Sequence, residues 1–521
     1  MKFDHFLPNH KYWMRGMAST SLQQQLKKLK SAPTGALAVE RDYSSLLYTK
    51  KEASALDHDE FYKIGLAGLS GMKKIDDEFD AYAPELFGKE KTRFNRAMLQ
   101  KDDAEQFNRQ IETFLLRLSP HFHHQCCRQV LEWLIHNYQI HTYNAEAVLL
   151  TFLPYHSVNS FGRLIHTLKF NSTTWDWLAE YQKDAAPIMI NILCRACQVG
   201  RSYWLVSTLS AFVQTAIERL GPAYVNERMQ NYFTFLVALF GNLIENSTSS
   251  GTVDDQLLSR LMPFLSVALK SKLEPFKCAG IMLWSCLSMN VTALNEETVQ
   301  SALKLLLYKL RSNTFPLVLQ ATCVLCQRLS IDVLPKNATL RIVYNEKELN
   351  ATTEIQKAME IFDMSPFLVP FWRILIEEYR NGENETWRDS YLAMLINTMD
   401  LERMNSVQAG KAFQLLLDWV GSMENGKMFP ENMSRHIRSM VIRFVTSFDE
   451  VVKSAQGGQE NNAQRLMDAC GIQPHEVGQL ELVSNAAAVN AKGKRKKGGK
   501  GCKFDTIIRW DTDIKQNGKR K

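Results

Sequence analysis

The sequence predicts an all-α fold, a solenoid of helical hairpins that stack side by side. Three observations predict it. Apolar residues recur at spacings of three and four along most of the chain, which places them on one face of a helix. The two clearest hairpins begin about 41 residues apart. Strand-like patterns are almost absent, because one segment alone, Thr339–Tyr344, resembles a strand, within a polar insertion between helices.

The two clearest hairpins lie in the middle of the chain. Pro275 separates the helices of the first hairpin, because proline cannot continue a helix, and Asn295 suits the N-cap of the second. Their spacing falls within the roughly 40–47 residues of HEAT and armadillo repeats, in which each hairpin buries its apolar face against its neighbours. The predicted helices are Asp254–Ser271, Phe276–Met289, Glu296–Arg311 and Pro316–Leu329. Weaker hairpins are predicted at 102–136, 143–170, 201–245, 354–380 and 405–455.

The chain divides by composition into four parts. An extension that we expect to be disordered precedes Met17, which resembles a more natural start. The HEAT-like solenoid follows, then a linker with one short helix at Asn461–Cys470, then a basic, low-complexity tail that we expect to be disordered. The predicted boundaries are 1–16 for the extension, 17–455 for the solenoid, 456–491 for the linker and 492–521 for the tail.

The positive charge of the chain belongs to its tail. Residues 492–521 contain twelve Lys or Arg and three Asp, whereas the rest of the chain carries 50 basic and 52 acidic side chains. A basic surface over the whole body is therefore not indicated. No apolar run reaches the roughly 18 residues of a membrane span, and residues 1–16 do not resemble a secretory signal. We therefore expect an intracellular protein with reduced cysteines and no membrane partner.

Two Cys-x-x-Cys pairs, Cys194/Cys197 and Cys323/Cys326, are candidate zinc ligands. A zinc site needs turns that bring four thiolates together, but each pair lies in an apolar helical segment, and the pairs are 129 residues apart. In a solenoid this separation corresponds to about three repeats. We interpret the thiols as small apolar groups on the core side of two helices, and we expect no metal or other cofactor.

A second group of candidate ligands is rich in histidine. No four-ligand spacing emerges within it, because successive residues on a helix point in different directions. We interpret the group as a partly exposed helix face. Its members are His121, His123, His124, Cys126, Cys127, His136 and His141.

The sequence carries no catalytic motif. It lacks a Gly-x-x-x-x-Gly-Lys-Ser/Thr phosphate loop, a Gly-x-Gly-x-x-Gly turn after a strand, and a Gly-x-Ser-x-Gly nucleophile elbow. The carboxylate pairs Asp76-Asp77 and Asp102-Asp103 stand at predicted helix starts, where acidic groups complement the helix dipole. We predict that the protein is not an enzyme and has no small-molecule substrate.

The tail carries a strip of cations with glycines between them. Such a strip suits a phosphate backbone or the acidic groove of a nuclear importer, and a merely solubilising tail is the alternative. The candidate contact residues are Lys492, Lys494, Arg495, Lys496, Lys497, Lys500 and Lys503.

Several stretches resemble one known family, in order along roughly residues 17–455. The most specific is Leu131-Glu132-Trp133-Leu134-Ile135-His136, followed by Ile140-His141 and Tyr143-Asn144. The others are SLQQQLKKL (21–29), SLLYTKKEASALDHDEFYKIGLAGL (45–69), DDEFDAYAPELF (76–87), FLLRLSPHF (114–122), LPYH (153–156) and LLSRLMPFLSVALKSKLEPFKCA (257–279). These stretches resemble the HEAT repeat-containing protein 1 family, and the resemblance stops at about Gln456.

The resemblance implies a non-catalytic scaffold of the nucleus and nucleolus. Members of that family belong to the small-subunit processome with the U3 small nucleolar ribonucleoprotein. They act in processing of the 18S precursor RNA and support ribosomal-RNA transcription. The implied partners are processome proteins and the ribonucleoprotein of precursor and small nucleolar RNA, and His136 and His141 become packing and surface residues.

Family members are several times longer, so we expect this chain to correspond to their N-terminal portion. The alternative function is that of a HEAT-repeat adaptor in nuclear transport or translation regulation. A nuclear-import receptor is expected to be acidic overall, whereas residues 1–491 of this chain are nearly neutral.

Overall fold

The computed structural model describes residues 44–198, 202–249, 252–290, 294–308, 310–381, 385–399 and 406–421. They form two compact units. The first unit comprises the described residues up to Gln110 together with His121–Val148 and Gly162–Ala186. The second comprises Ile111–Pro120, Leu149–Phe161 and the described residues from Pro187 onward.

Helices make up almost all of the regular structure in these residues. The first twelve are α1 (Lys50–Ala55), α2 (His58–Lys73), α3 (Tyr82–Leu86), α4 (Lys101–Leu118), α5 (Gln125–Tyr138), α6 (Ile140–Tyr143), α7 (Ala145–Phe152), α8 (Asn159–Thr167), α9 (Ala179–Asp184), α10 (Ile190–Gln198), α11 (Trp204–Leu220) and α12 (Pro222–Arg228). The next twelve are α13 (Gln230–Ser247), α14 (Asp255–Lys270), α15 (Glu274–Asn290), α16 (Glu296–Leu306), α17 (Phe315–Arg328), α18 (Lys336–Thr339), α19 (Arg341–Tyr344), α20 (Glu346–Leu349), α21 (Ala351–Ile361), α22 (Ser365–Asn381), α23 (Glu385–Thr398) and α24 (Ser406–Gly421).

Short elements connect some of these helices. The 3₁₀ turns are Asp77–Ala81, Lys89–Arg93, Arg96–Met98, Ser119–His121, Leu153–Tyr155 and Thr173–Leu178. An antiparallel pair of two-residue strands, β1 (Thr248–Ser249) and β2 (Thr252–Val253), connects α13 to α14.

The first unit is built around the packing of α2 against α5. A capping box starts α2: the Asp57 carboxylate accepts a hydrogen bond from the Glu60 amide at 2.7 Å, and the Glu60 carboxylate accepts one from the Asp57 amide at 2.8 Å. Three glycines of α2, Gly65, Gly68 and Gly71, lie directly against α5. A Cβ atom on Gly68 would lie 2.8 Å from the Cys126 carbonyl oxygen, so the two helices approach closely because glycine lacks that atom.

The second unit is a two-layered stack of helices. In one layer α10, α13, α15, α17, α22 and α24 follow one another as neighbours, and the other layer contains α11, α14 and α16, then α21 and α23. The core lies between the layers, where Trp284 of α15 and Trp372 of α22 are fully buried. This is the α-solenoid arrangement, in which each hairpin covers the apolar face of the next.

The four central helices are confirmed to within two residues at seven of their eight ends. The Asp254 side chain accepts a hydrogen bond from the Gln256 amide, and that of Asn295 accepts one from the Glu297 amide, as N-caps do. The exception is α16, which ends at Leu306 and not at Arg311. Beyond that end, the carbonyl oxygen of Tyr308 accepts a hydrogen bond from the Lys277 ammonium at 3.0 Å.

The prediction of a strand at Thr339–Tyr344 is wrong, because this segment contains the end of α18 and all of α19. Its β-branched residues suggested a strand, but burial follows a helical spacing of one, three and four residues. The buried side chains are Thr339, Leu340, Ile342 and Val343. The strand pair β1–β2 and the helices α2 and α23 were not predicted from the sequence.

Among the weaker hairpins, 102–136 corresponds to α4 and α5, 143–170 to α7 and α8, 201–245 to α11–α13, and 354–380 to α21 and α22. The predicted hairpin 405–455 is described as far as Gly421, and the rest of it lies outside the described residues. The extension 1–16, the stretch 21–29, the linker and the tail also lie outside them. Within the part of the chain that the structure describes, no helix combines the length and apolarity needed to cross a membrane.

Candidate interaction surface

The two Cys-x-x-Cys pairs are core residues of α10 and α17. All four side chains are at most 2% exposed. The two helices are separated by α13 and α15 in the same layer, which is the three-repeat separation that the sequence predicts. Burial raises the pKa of Cys194 to about 11 and that of Cys323 to about 12, so these thiols are protonated at neutral pH. Each pair therefore acts as a pair of small apolar groups.

The histidine-rich group is not one helix face, as the sequence analysis interpreted it. His121 closes a 3₁₀ turn and is buried, whereas His123 and His124 are exposed in the turn before α5. His141 lies on α6 and is 2% exposed. Across the described residues, no group of three or more His, Cys, Asp or Glu side chains is arranged to hold a metal ion.

Glu132, within the most specific of the resemblance stretches, holds the non-helical segment before α1 against α5. Its carboxylate is fully buried and accepts hydrogen bonds from the Leu46 amide at 2.8 Å and the Leu47 amide at 3.1 Å. It also accepts one from the Ser45 hydroxyl. The His136 ring donates a fourth hydrogen bond at 3.0 Å. These four bonds satisfy both oxygens of the carboxylate.

His136 completes this arrangement by stacking. Its ring lies on Phe61 of α2 with 3.5 Å between ring centroids, and its side chain is 11% exposed. His136 therefore packs while part of its side chain stays exposed, whereas His141 is buried and forms no surface. The chemistry of this site is structural, since every polar atom of the Glu132 carboxylate is engaged in holding the chain.

The layer of α13, α15 and α17 exposes a face that carries no charge in its middle. Charged residues on these helices stand near the ends, at Glu245, Glu274, Lys277 and Arg328. Between them α15 exposes Met282 and Met289, at 47% and 43%. In the middle of this face the described residues offer neither an acid nor a base for chemistry.

Sequence reasoning missed a group of basic residues at the turns between the two layers. Lys272 lies in the turn from α14 to α15, and Arg311 lies in the turn from α16 to α17. The Arg311 guanidinium donates a hydrogen bond to the carbonyl oxygen of Lys272 at 3.1 Å. The signal in the sequence was a Lys or Arg in the turn between the two helices of consecutive hairpins, which the near-zero net charge of the body concealed.

The seven tail cations from Lys492 to Lys503 lie outside the described residues. Their predicted contact with nucleic acid or an importer stays a prediction.

A family model described as U3 small nucleolar RNA-associated protein 10 matches residues 257–375. That range begins in α14 and ends in α22, within the two-layered stack of the second unit.

Similar proteins carry two related names. The HEAT repeat-containing protein 1 homolog of Caenorhabditis elegans is 33% identical over 442 residues, which is 83% of this chain and 26% of the relative. Human HEAT repeat-containing protein 1 is 28% identical over 72% of this chain and 17% of its own length. The U3 small nucleolar RNA-associated protein 10 of Debaryomyces hansenii is 30% identical over 31% of this chain and 9% of its own length.

The chain thus spans about a quarter of the length of the Caenorhabditis elegans relative and less of the human one. The similarity extends over most of this chain and agrees with the all-helical stack described above. The chain belongs to the HEAT repeat-containing protein 1 family.

Proposed function

We propose that this chain is a non-catalytic scaffold in nucleolar ribosome biogenesis, as part of the small-subunit processome. In that role it supports processing of the 18S precursor RNA and ribosomal-RNA transcription. The observation that carries the proposal is the similarity over 83% of the chain to a HEAT repeat-containing protein 1 homolog, together with the U3 small nucleolar RNA-associated family model at residues 257–375.

The arrangement of helices supports a binding role over a catalytic one. A stack of hairpins exposes a row of helix faces along several repeats, and such extended faces suit large macromolecular partners. The face of α13, α15 and α17 lacks charged groups in its middle, and the buried cysteines are protonated thiols. The partners in this proposal are processome proteins and the ribonucleoprotein of precursor and small nucleolar RNA.

The proposed location is the nucleus and the nucleolus. The tail cations Lys492, Lys494, Arg495, Lys496, Lys497, Lys500 and Lys503 are the proposed contacts with an importer or with RNA.

A fluorescent fusion of the full chain tests this proposal. We expect a nucleolar signal for the full chain. A variant with the seven tail cations changed to glutamine shows which part of the chain sets the location. A nucleolar signal in the unchanged chain and in the variant assigns the location to the helical body. Loss of the nucleolar signal in the variant assigns it to the tail. A cytoplasmic signal for the unchanged chain contradicts the proposed scaffold function and favours a cytoplasmic adaptor.

A further inference from the structure

Four cations from three segments of the second unit are linked by contacts at Tyr308 and at the turn that contains Lys272. The Lys277 ammonium donates a hydrogen bond to the Tyr308 carbonyl oxygen at 3.0 Å, and the Arg341 guanidinium lies over the Tyr308 ring, 5.5 Å from its centroid. Arg311 is joined to Lys272 through the 3.1 Å bond to its carbonyl oxygen. We call Lys272, Lys277, Arg311, Arg341 and Tyr308 the basic turn surface.

The three exposed cations of this surface are not paired with a carboxylate of the described residues. Lys272, Arg311 and Arg341 are exposed, and within the described ranges none of them forms an ion pair with Asp or Glu. Glu274 is close to this surface along the chain, and its carboxylate accepts a hydrogen bond from the Asn313 side chain at 3.4 Å. The surface therefore carries a net positive charge.

Lys277 adds a partly desolvated charge to the same surface. Its side chain is 4% exposed, and burial lowers the pKa of Lys277, with the positive charge of Arg311 lowering it further. Binding of an anion between or beside these cations is favourable, because it reduces the repulsion between like charges in a partly buried place.

We propose that the basic turn surface binds the phosphate backbone of RNA. The inference rests on the proposed function, because it names the contact by which the scaffold holds its ribonucleoprotein partner. Each of the three exposed cations can contact one phosphate, so the surface suits the repeated phosphates of one strand better than a single phosphate. The Arg341 guanidinium, whose plane is supported by Tyr308, offers in addition a flat cationic face on which an unpaired base can stack.

Fluorescence anisotropy with labelled single-stranded RNA of mixed sequence measures this binding. The full chain carries glutamine at the seven tail cations in every sample, so that tail binding does not hide the surface. The test variant adds Lys272→Gln, Arg311→Gln and Arg341→Gln. We expect its affinity to fall about tenfold, and the salt dependence to lose about two units of log–log slope, because each phosphate contact with a single strand contributes about 0.7.

A matched control removes three exposed cations elsewhere in the same unit. Arg260→Gln, Lys304→Gln and Arg328→Gln produce the same change in net charge, and we expect less than a threefold change in affinity. The variant Arg311→Lys with Arg341→Lys keeps the charges and is expected to keep most of the affinity. Circular dichroism on heating checks that every variant is folded.

An equal loss in the test and control variants, or no loss in either, overturns the proposal. The proposal is also overturned if the test variant keeps its RNA affinity but no longer co-purifies with an acidic protein. In that case the surface binds the protein. If the RNA-binding proposal fails but the unchanged chain still co-purifies with U3 RNA, the proposed scaffold function is not contradicted. Conversely, RNA binding at this surface without any association with U3 RNA contradicts the proposed function and not the surface.

Discussion

At the scale of single residues, the buried carboxylate of Glu132 holds a non-helical segment of the chain against a helix. Glu132 is fully buried. The fold tolerates its carboxylate there because four groups donate hydrogen bonds to it: the amides of Leu46 and Leu47, the Ser45 hydroxyl and the His136 ring. A buried carboxylate with a full set of donors stabilises one arrangement of the chain, and removing it leaves those donors without their acceptor.

We predict that Glu132→Ala lowers the free energy of unfolding by roughly 3 kcal/mol, because two backbone amides and a hydroxyl lose their acceptor. Urea unfolding measures the loss, and hydrogen exchange at the Leu46 and Leu47 amides should accelerate. Glu218→Ala on the exposed face of α11 is the control, with an expected change within about 0.5 kcal/mol. Equal losses in the two variants are incompatible with this role of Glu132.

His156 gives the fold a pH dependence. Its Nδ1–H donates to the Ile188 carbonyl oxygen, and the Ile188 amide donates back to the His156 carbonyl oxygen at 2.8 Å. Burial lowers the pKa of His156 below its usual 6.5, and the bond to Ile188 opposes part of that shift. Below pH 6.5 the unfolded chain therefore binds a proton that the folded chain resists, so stability falls as the pH decreases.

We predict that His156→Asn removes this part of the pH dependence, since the asparagine amide can donate to the Ile188 carbonyl oxygen without titrating. Urea midpoints from pH 7.5 to 5 measure it. The parent chain should lose stability more steeply than the variant below pH 6.5, by less than about 1.4 kcal/mol per pH unit, because solvent screens a half-buried ring. Identical slopes would show that His156 titrates normally in the folded chain.

The buried thiols should be unreactive and free of metal. We predict that Cys197 and Cys326 react with iodoacetamide many times more slowly in the folded chain than in urea, because burial raises the pKa of both thiols and blocks access. Mass spectrometry of the labelled peptides measures the rates, and elemental analysis measures zinc. Zinc at one equivalent per chain would mean that these thiols are ligands after all.

At the scale of elements, the distance between packed helices depends on glycine. Gly68 of α2 lies so close to α5 that an added Cβ would lie 2.8 Å from the Cys126 carbonyl oxygen and 2.9 Å from the Val130 amide nitrogen. Both atoms belong to the backbone, so no side chain can move aside. At Gly241 of α13 the nearest atom is the Cys286 sulfur, at 3.9 Å, which is ordinary contact.

We predict opposite effects for alanine at these two positions. Gly68→Ala should destabilise by about 2 kcal/mol, because α2 and α5 must move apart. Gly241→Ala should stabilise by up to about 1 kcal/mol, because alanine favours a helix and the site has room for its methyl group. Urea unfolding of the two variants measures the difference, and a stabilising Gly68→Ala would show that the helices are not in such close contact.

Elements with local signals at their ends could be predicted from the sequence. The carboxylate of Asp254 and the amide of Asn295 cap α14 and α16, and Pro316 stands in the first turn of α17. The helical structure of Thr339–Tyr344 could not be predicted, because its β-branched residues favour a strand, whereas packing within the stack stabilises a helix. The local preference was weaker than the burial of Ile342 and Val343.

At the scale of the whole molecule, the fold class and the family could be predicted, whereas the interaction surface could not. Helical spacing is local, whereas the contacts of the basic turn surface join residues far apart in the chain: Arg311 donates to the carbonyl oxygen of Lys272, 39 positions earlier, and Arg341 lies over Tyr308, 33 positions earlier. The net charge of the body averages over every face, so a near-neutral total concealed a positive surface.

The proposed association of this chain with the U3 ribonucleoprotein can be measured through the RNA that co-purifies with it. The tagged full chain is purified from nuclear extract at moderate salt, and its RNA is sequenced beside that of an untagged extract. We predict enrichment of U3 RNA and of the 18S precursor over ribosomal RNA from mature subunits. If U3 RNA and the 18S precursor are recovered only at the level of the untagged extract, the proposed scaffold function is contradicted.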